Sequence, residues 1–279
     1  MRLRGVRGSR NVEDRRKVSG GGKAGIGGIG LLIILALGYF AGFDVTPLLQ
    51  GQGSATQTNS TRTLSGEEQK AAEFSSQVLA TTETVWTKIF QEQLNRTYNP
   101  PVMVLFSQST QSPCGGASGA TGPFYCPADR KAYLDTEFFA TLERQLGAKG
   151  DFAAAYVIAH EVAHHVQNEL GVLPKVEQAR RQASQIEANA LTVRLELQAD
   201  CFSGVWARAV GGLLEPGDVE EALNAAKMIG DDRLQAQAGQ RPQPHTFTHG
   251  TSEQRMRWFA TGYQTSDIGQ CNTFSASTL

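Results

Sequence analysis

Residues 153–170 read AAAYVIAHEVAHHVQNEL, eighteen positions without proline or glycine and rich in good helix formers. The stretch predicts a helix, and His160-Glu161-Val162-Ala163-His164 stands inside it as an H-E-x-x-H string. A separation of four residues is slightly more than one turn, so both imidazoles leave one face and can reach one ion. Glu161 can then reach a water activated by that ion. Zinc lowers the pKa of such a water to near 7, and a carboxylate takes its proton during attack on a carbonyl. Val157, Ile158, Val162 and Val166 flank the string, the setting of a buried helix and not of two histidines on a solvated face. His165 is turned about 100° away from His164 and cannot join the same ion. It is expected to support the site from behind or to lie at the surface.

A catalytic zinc needs three protein ligands and one open position. Residues 188–209, ANALTVRLELQADCFSGVWARA, read as a second helix with Glu196 and Asp200 on a common face. Leu195, Leu197, Phe202 and Val205 supply apolar packing, which speaks against a solvated acidic face. Glu196 can bind the metal. Asp200 can orient a ligand imidazole through the ring nitrogen that is not on the metal.

Outward from these helices, the chain of 279 residues carries a net charge of -1 that hides an asymmetry. Residues 1–23 are net +6 and the remainder net -7. A basic arm alone would suggest nucleic acid. The uncharged run that follows, AGIGGIGLLIILALGYFAGF at 24–43, decides against a nucleic-acid partner. Twenty residues at about 1.5 Å each make roughly 30 Å, the thickness of a bilayer's hydrocarbon core, so a single transmembrane helix is expected there. The one-sided basic flank then puts residues 1–23 in the cytoplasm and the rest outside. A cleaved signal peptide is the rival, through Ala36-Leu37-Gly38, but that triplet lies inside the apolar run. Gly38 and Gly42 form a GxxxG that could pack two anchors into an oligomer. Gly25, Gly27 and Gly30 fit G-x-G-x-x-G, yet no strand precedes them and no dinucleotide site is expected.

Residues 44–64 are rich in Gln, Thr, Ser and Gly and read as a flexible linker, leaving 65–279 as the catalytic domain. A helix is expected from Ser65, with Glu68 completing a capping box and Phe74, Val78, Val85, Trp86 and Ile89 forming its apolar face. Asn99-Pro100-Pro101 breaks it. VMVLFS (102–107), FYC (124–126) and AYLD (132–135) read as strands, the stretch between the first two as a Gly-rich loop, and the chain beyond Thr136 as almost wholly helical. The fold class is therefore α+β: a mainly helical, zincin-like domain with a small sheet, preceded by the transmembrane helix. Four cysteines in an exported domain favour disulfides, with three pairings possible. Cys114 and Cys126 bracket GGASGATGPFY, which suggests Cys114–Cys126 and leaves Cys201–Cys271.

Together these stretches resemble the bacterial neutral zinc metallopeptidase family (YpfJ-like), whose members are membrane-anchored. The resemblance covers nearly the whole chain. It rests on Asn11-Val12-Glu13-Asp14-Arg15-Arg16, Pro123-Phe124-Tyr125-Cys126-Pro127, Ala159-His160-Glu161, Leu195 through Cys201, and His249-Gly250 through Arg255 and Trp258. Ala163 departs from the family's glycine, and suits a helix. A wider similarity to gluzincin peptidases, which pair H-E-x-x-H with a later Glu-x-x-x-Asp, implies that Glu196 binds zinc and Asp200 supports a histidine. In that pattern a His follows, and an Arg six residues later; His249 and Arg255 have this spacing. The similarity implies that His249 stabilises the oxyanion of the tetrahedral intermediate and that Arg255 pairs with an acid near the metal, such as Asp200. His245 has no evident role.

The expected function is a membrane-anchored metalloendopeptidase with one catalytic Zn2+. His160, His164 and Glu196 are its metal ligands and Glu161 its general base. It would act on protein or peptide substrates outside the cytoplasmic membrane, with residues 24–43 in the lipid bilayer. The rivals are a non-catalytic, zinc-stabilised scaffold of the cell envelope and a zinc amidase acting on a non-protein amide. The family carries over no substrate identity.

Overall fold

The computed structural model describes residues 1–17, 63–118, 122–144 and 147–279. Four short strands make its main sheet: β1 (Val12–Asp14), β2 (Val102–Phe106), β5 (Phe124–Cys126) and β6 (Lys131–Asp135), in the order β1-β2-β6-β5. β1 and β6 run parallel to β2, and β5 runs antiparallel to β6 as an edge strand. The Gly-rich stretch expected as a loop instead pairs β3 (Ser109–Ser112) with β4 (Gly115–Ser118) in an antiparallel hairpin.

The helices begin where the sequence supplies caps. Helix α1 (Gly66–Leu94) starts at Ser65, whose hydroxyl accepts from the Glu68 amide while Glu68 accepts from the Ser65 amide. It ends at Asn95 in the left-handed conformation. After a short α2 (Phe138–Arg144) come α3 (Asp151–Glu169), α4 (Val172–Arg180) and α5 (Gln185–Ala209), the last opened by a Ser184–Glu187 capping box. Helices α6 (Asp218–Met228), α7 (Asp231–Gln237) and α8 (Ser252–Thr265) follow among the described residues.

Helices α3 and α5 are the middle of the core, where Phe152, Tyr156, Val162, Leu197, Phe202 and Trp206 are all buried. Full burial of each such side chain is worth about 1.5–3 kcal/mol, so this layer dominates the apolar stabilisation. Helix α8 lies against α5 at a distance only glycine permits. A Cβ on Gly204 would stand 2.0 Å from the Phe259 carbonyl oxygen, and one on Gly262 would stand 1.8 Å from that of Cys201. This close approach brings Arg255 to Asp200.

Both disulfides pair as expected. Cys114–Cys126 ties the β3–β4 hairpin to β5, and Cys201–Cys271 ties α5 to the chain after α8.

Residues 1–23 were expected as a separate cytoplasmic arm, and residues 1–17 of it pack against residues 63–279. The Met103 amide donates to the Asn11 carbonyl (2.8 Å) and the Arg15 amide to the Leu105 carbonyl (2.8 Å), flanking β1. Met1 and Leu3 are buried in the main core. The Met1 ammonium lies 2.8 Å from Asp151, 2.9 Å from Glu215 and 3.3 Å from Asp218. Burial opposes that charge, but hydrogen bonds to Asp151 and Glu215 outweigh it and raise its pKa to about 10. Charge counting could not show this, because the partners are remote in sequence. The expected span 24–43, its Gly38–Gly42 pair and nearly all of the linker lie outside the described residues. Among the described residues, no helix is long and apolar enough to cross a membrane.

Candidate metal centre

Helix α3 presents His160 and His164 toward α5, and Glu196 faces them from that helix. His160 Nε2 lies 3.0 Å from Glu196 Oε2, and His164 Nε2 lies 3.5 Å from Glu196 Oε1. One donor atom from each of the three residues falls within 4.8 Å of the others. The opposite ring nitrogens are both fastened. His160 Nδ1 donates to Asp200 Oδ1 at 2.9 Å, and His164 Nδ1 donates to Gln167 Oε1 at 2.9 Å. An acceptor at Nδ1 holds the proton there and leaves the Nε2 lone pair facing Glu196. Two imidazole nitrogens and a carboxylate oxygen, beside an open cleft, are the donor set of a catalytic zinc. The residues fit the metal.

The electrostatics agree. Burial works against a charge on His160, but Asp200 and Glu196 outweigh it and raise its pKa to about 10. His164 is also raised, burial being overcome by Glu196. Burial would raise Glu196, yet the two histidines hold it well below the usual carboxylate range. The buried Asp200 and the largely covered Glu196 thus create a place that favours positive charge.

Asp200 is wholly buried and carries several bonds. Arg255 donates to it through Nε (2.8 Å) and Nη2 (3.0 Å), and the Tyr156 hydroxyl donates at 2.5 Å. Burial opposes its ionisation, but Arg255 and then His160 bring its pKa to about 2. An Asp200 that is ionised at neutral pH is the acceptor that His160 needs. Arg255 thus contacts Asp200, the acid that the gluzincin similarity implied as its partner.

Glu161 and His249 line the same cleft, about 480 Å³ in volume, with Phe124, Tyr125, Val157 and Leu195 on its walls. Burial pushes the Glu161 carboxyl up, making it a stronger base than a solvated glutamate. His249 is about half exposed, with Nδ1 3.2 Å from Asp231 Oδ1. The other Asp231 oxygen accepts from the amides of Thr248 (2.7 Å), His249 (2.6 Å) and Gly250 (3.1 Å), which fixes the loop. Burial opposes a charge on His249 and Asp231 raises its pKa, a shift that solvent at the exposed ring screens.

His165 points away from the cluster and is wholly buried. Its Nε2 donates to the Asn99 carbonyl (2.6 Å), and its Nδ1 accepts from the Tyr125 hydroxyl (3.0 Å). His245 is exposed, and its backbone carbonyl accepts from Asn189 (3.0 Å).

Sequence reasoning missed Gln167, Tyr156 and Asp231. Gln167 is three residues after His164, and Tyr156 four before His160, so helical spacing puts both beside the cluster, though neither residue type marks itself out. Asp231 comes from a separate helix and left no local sign.

The chain matches a family model described as "Putative neutral zinc metallopeptidase" over residues 1–274. Uncharacterized protein YpfJ of Escherichia coli (strain K12) is 50% identical over 288 residues, covering 99% of this chain and 100% of that protein. Uncharacterized protein Mb2605 of Mycobacterium bovis is 47% identical over 195 residues, covering 65% of each. Uncharacterized protein Rv2575 of Mycobacterium tuberculosis matches to the same extent. No solved structure matches.

Proposed function

The chain belongs to the neutral zinc metallopeptidase family, and from that premise we propose that it hydrolyses peptide bonds of protein or peptide substrates at the His160–His164–Glu196 cluster. The observation that carries this reading is the convergence of those three donors, with both Nδ1 atoms already engaged, beside Glu161 in an open cleft. His160, His164 and Glu196 would hold a zinc ion, which would supply Lewis-acid polarisation and lower the pKa of a water to near 7.

The remaining work falls to the chain's own residues. Glu161 takes the proton from the attacking water and returns it to the leaving amine; burial has already raised its basicity. His249, held by Asp231, donates to the oxygen that becomes negative in the tetrahedral intermediate. Asp200, fixed by Arg255 and Tyr156, keeps the His160 ring in one tautomer and one orientation. The aromatic and aliphatic cleft wall favours apolar side chains next to the cut bond. A scaffold held together by zinc would have no use for a carboxylate aimed into an open cleft. Two disulfides support an oxidising compartment for this domain, and the uncharged run at 24–43 supports attachment to a membrane.

Glu161→Gln tests the mechanism. Zinc by elemental analysis should stay at about one ion per chain, while turnover of unfolded protein substrates falls about 10²–10⁴-fold, the usual weight of a general base. Undiminished turnover in that variant would falsify the mechanism. Zinc-loaded protein that cleaves no peptide at all would favour the scaffold.

A further inference from the structure

The motif Asn11-Val12-Glu13-Asp14-Arg15-Arg16 has no part in the cleft, yet it is joined to the domain on several sides. β1 extends the sheet beside β2 with Val12 opposite Met103, Glu13 opposite Val104 and Asp14 opposite Leu105. Ser9 (2.6 Å) and Asn11 (2.8 Å) both donate to Glu83 on α1. Lys131 of β6 reaches Glu13 at 2.7 Å. Gly8 passes so close to α1 that a Cβ there would stand 2.5 Å from the Ser76 hydroxyl. Met1 and Leu3 enter the core that also holds α3 and α5.

We infer that residues 1–17 are an integral layer of the catalytic domain and lie in the same compartment as residues 63–279. The chain between Lys17 and Thr63 leaves one body and returns to it. A single crossing of a bilayer in between would separate its two ends by a hydrocarbon layer about 30 Å thick, and β1 could not then pair with β2. Separation would also strip the β2 edge, exposing a row of backbone amides and carbonyls along Val102–Phe106, most of whose side chains are buried. It would leave Asp218, almost wholly buried, without the Met1 ammonium beside it. A single membrane crossing between Lys17 and Thr63 is therefore incompatible with the pairing of β1 and β2. The positive charges that suggested a cytoplasmic arm do not need the cytoplasm: Arg4, Arg7 and Arg10 lie exposed on the outer side of this layer.

Single added cysteines in the full-length chain test the inference, since the four native cysteines are paired with one another. Arg4→Cys and, separately, Arg10→Cys report on the amino-terminal layer, and Glu220→Cys reports on α6; all three positions are exposed. Spheroplasts are treated with a membrane-impermeant maleimide before or after lysis. The inference expects the amino-terminal positions and Glu220→Cys to behave alike, all labelled before lysis or all only after it. Labelling of Glu220→Cys before lysis, with both amino-terminal positions labelled only afterwards, overturns it. So does the reverse. Two amino-terminal positions guard against local disturbance by either replacement, and neither result bears on whether the cleft is a peptidase site.

Discussion

Gln167 does for His164 what Asp200 does for His160, and the two supports differ in how they can fail. Asp200 is charged, buried and clamped by Arg255, so Asp200→Asn replaces an acceptor with an amide and leaves Arg255 with no charged partner. Gln167 is neutral and spends its amide on the Leu195 carbonyl at 2.7 Å, next to Glu196. Gln167→Ala should thus free His164 and loosen the turn that carries Glu196. Each variant should weaken zinc binding by about 10–100-fold, measured by competition with a chelator. Unchanged affinity in Gln167→Ala would remove it from the site. His249→Ala should keep zinc at the wild-type level and lower mainly kcat, because an oxyanion donor acts on charge present only in the transition state; loss of zinc there would make His249 a ligand instead. His160, Glu161, His164, Glu196 and Asp200 were legible because charged or ligating residues at helical spacing are few. Gln167 and Tyr156 share that spacing, but an amide and a phenol on a helix are too common to single out without the partner in view.

At the scale of elements, His165 fastens three pieces together: helix α3, the turn before β2 through Asn99, and strand β5 through Tyr125. Those bonds specify the neutral ring, and burial, partly offset by the bond to Asn99, lowers its pKa from the ordinary 6.5. A histidine whose folded pKa is depressed leaves stability intact above the unfolded value. Stability is then lost as pH falls from about 6.5 toward the folded pKa. The urea midpoint of the wild-type protein should drop across that window, and His165→Gln, which cannot titrate, should drop less. Identical pH profiles would show that His165 contributes nothing through its protonation. The elements themselves were largely legible, since Ser65 and Ser184 carry capping boxes and the apolar periodicity of α3 and α5 is strong. Strand β1 was not. Three residues, Val12–Asp14, have no pattern of their own, and only the far-off edge of β2 makes them a strand.

For the whole molecule, the decisive question is whether the domain stands without its first seventeen residues. Helical periodicity and cysteine count describe the body of the chain well, but charge distribution marks the amino terminus only as a separate arm, because a charge count cannot see a contact made across more than 70 residues, such as Asn11 to Glu83. Burial of the Met1 and Leu3 side chains is worth about 1.5–3 kcal/mol each. Against a net stability of about 5–15 kcal/mol, that alone is a large share. A chain of residues 63–279 should therefore melt well below the full-length protein and tend to aggregate through the uncovered β2 edge. A free peptide of residues 1–17 should raise its melting temperature in a dose-dependent way, with about 2.7 kcal/mol recovered at a hundred times the peptide's Kd. The same peptide carrying Gly8→Val should rescue poorly, because its side chain would displace the Ser76 hydroxyl from its bond to the Ser9 carbonyl. If the truncated chain melts like the full-length protein and ignores the peptide, the amino-terminal layer is dispensable. The burial of Met1 and Leu3 then carries no net stability.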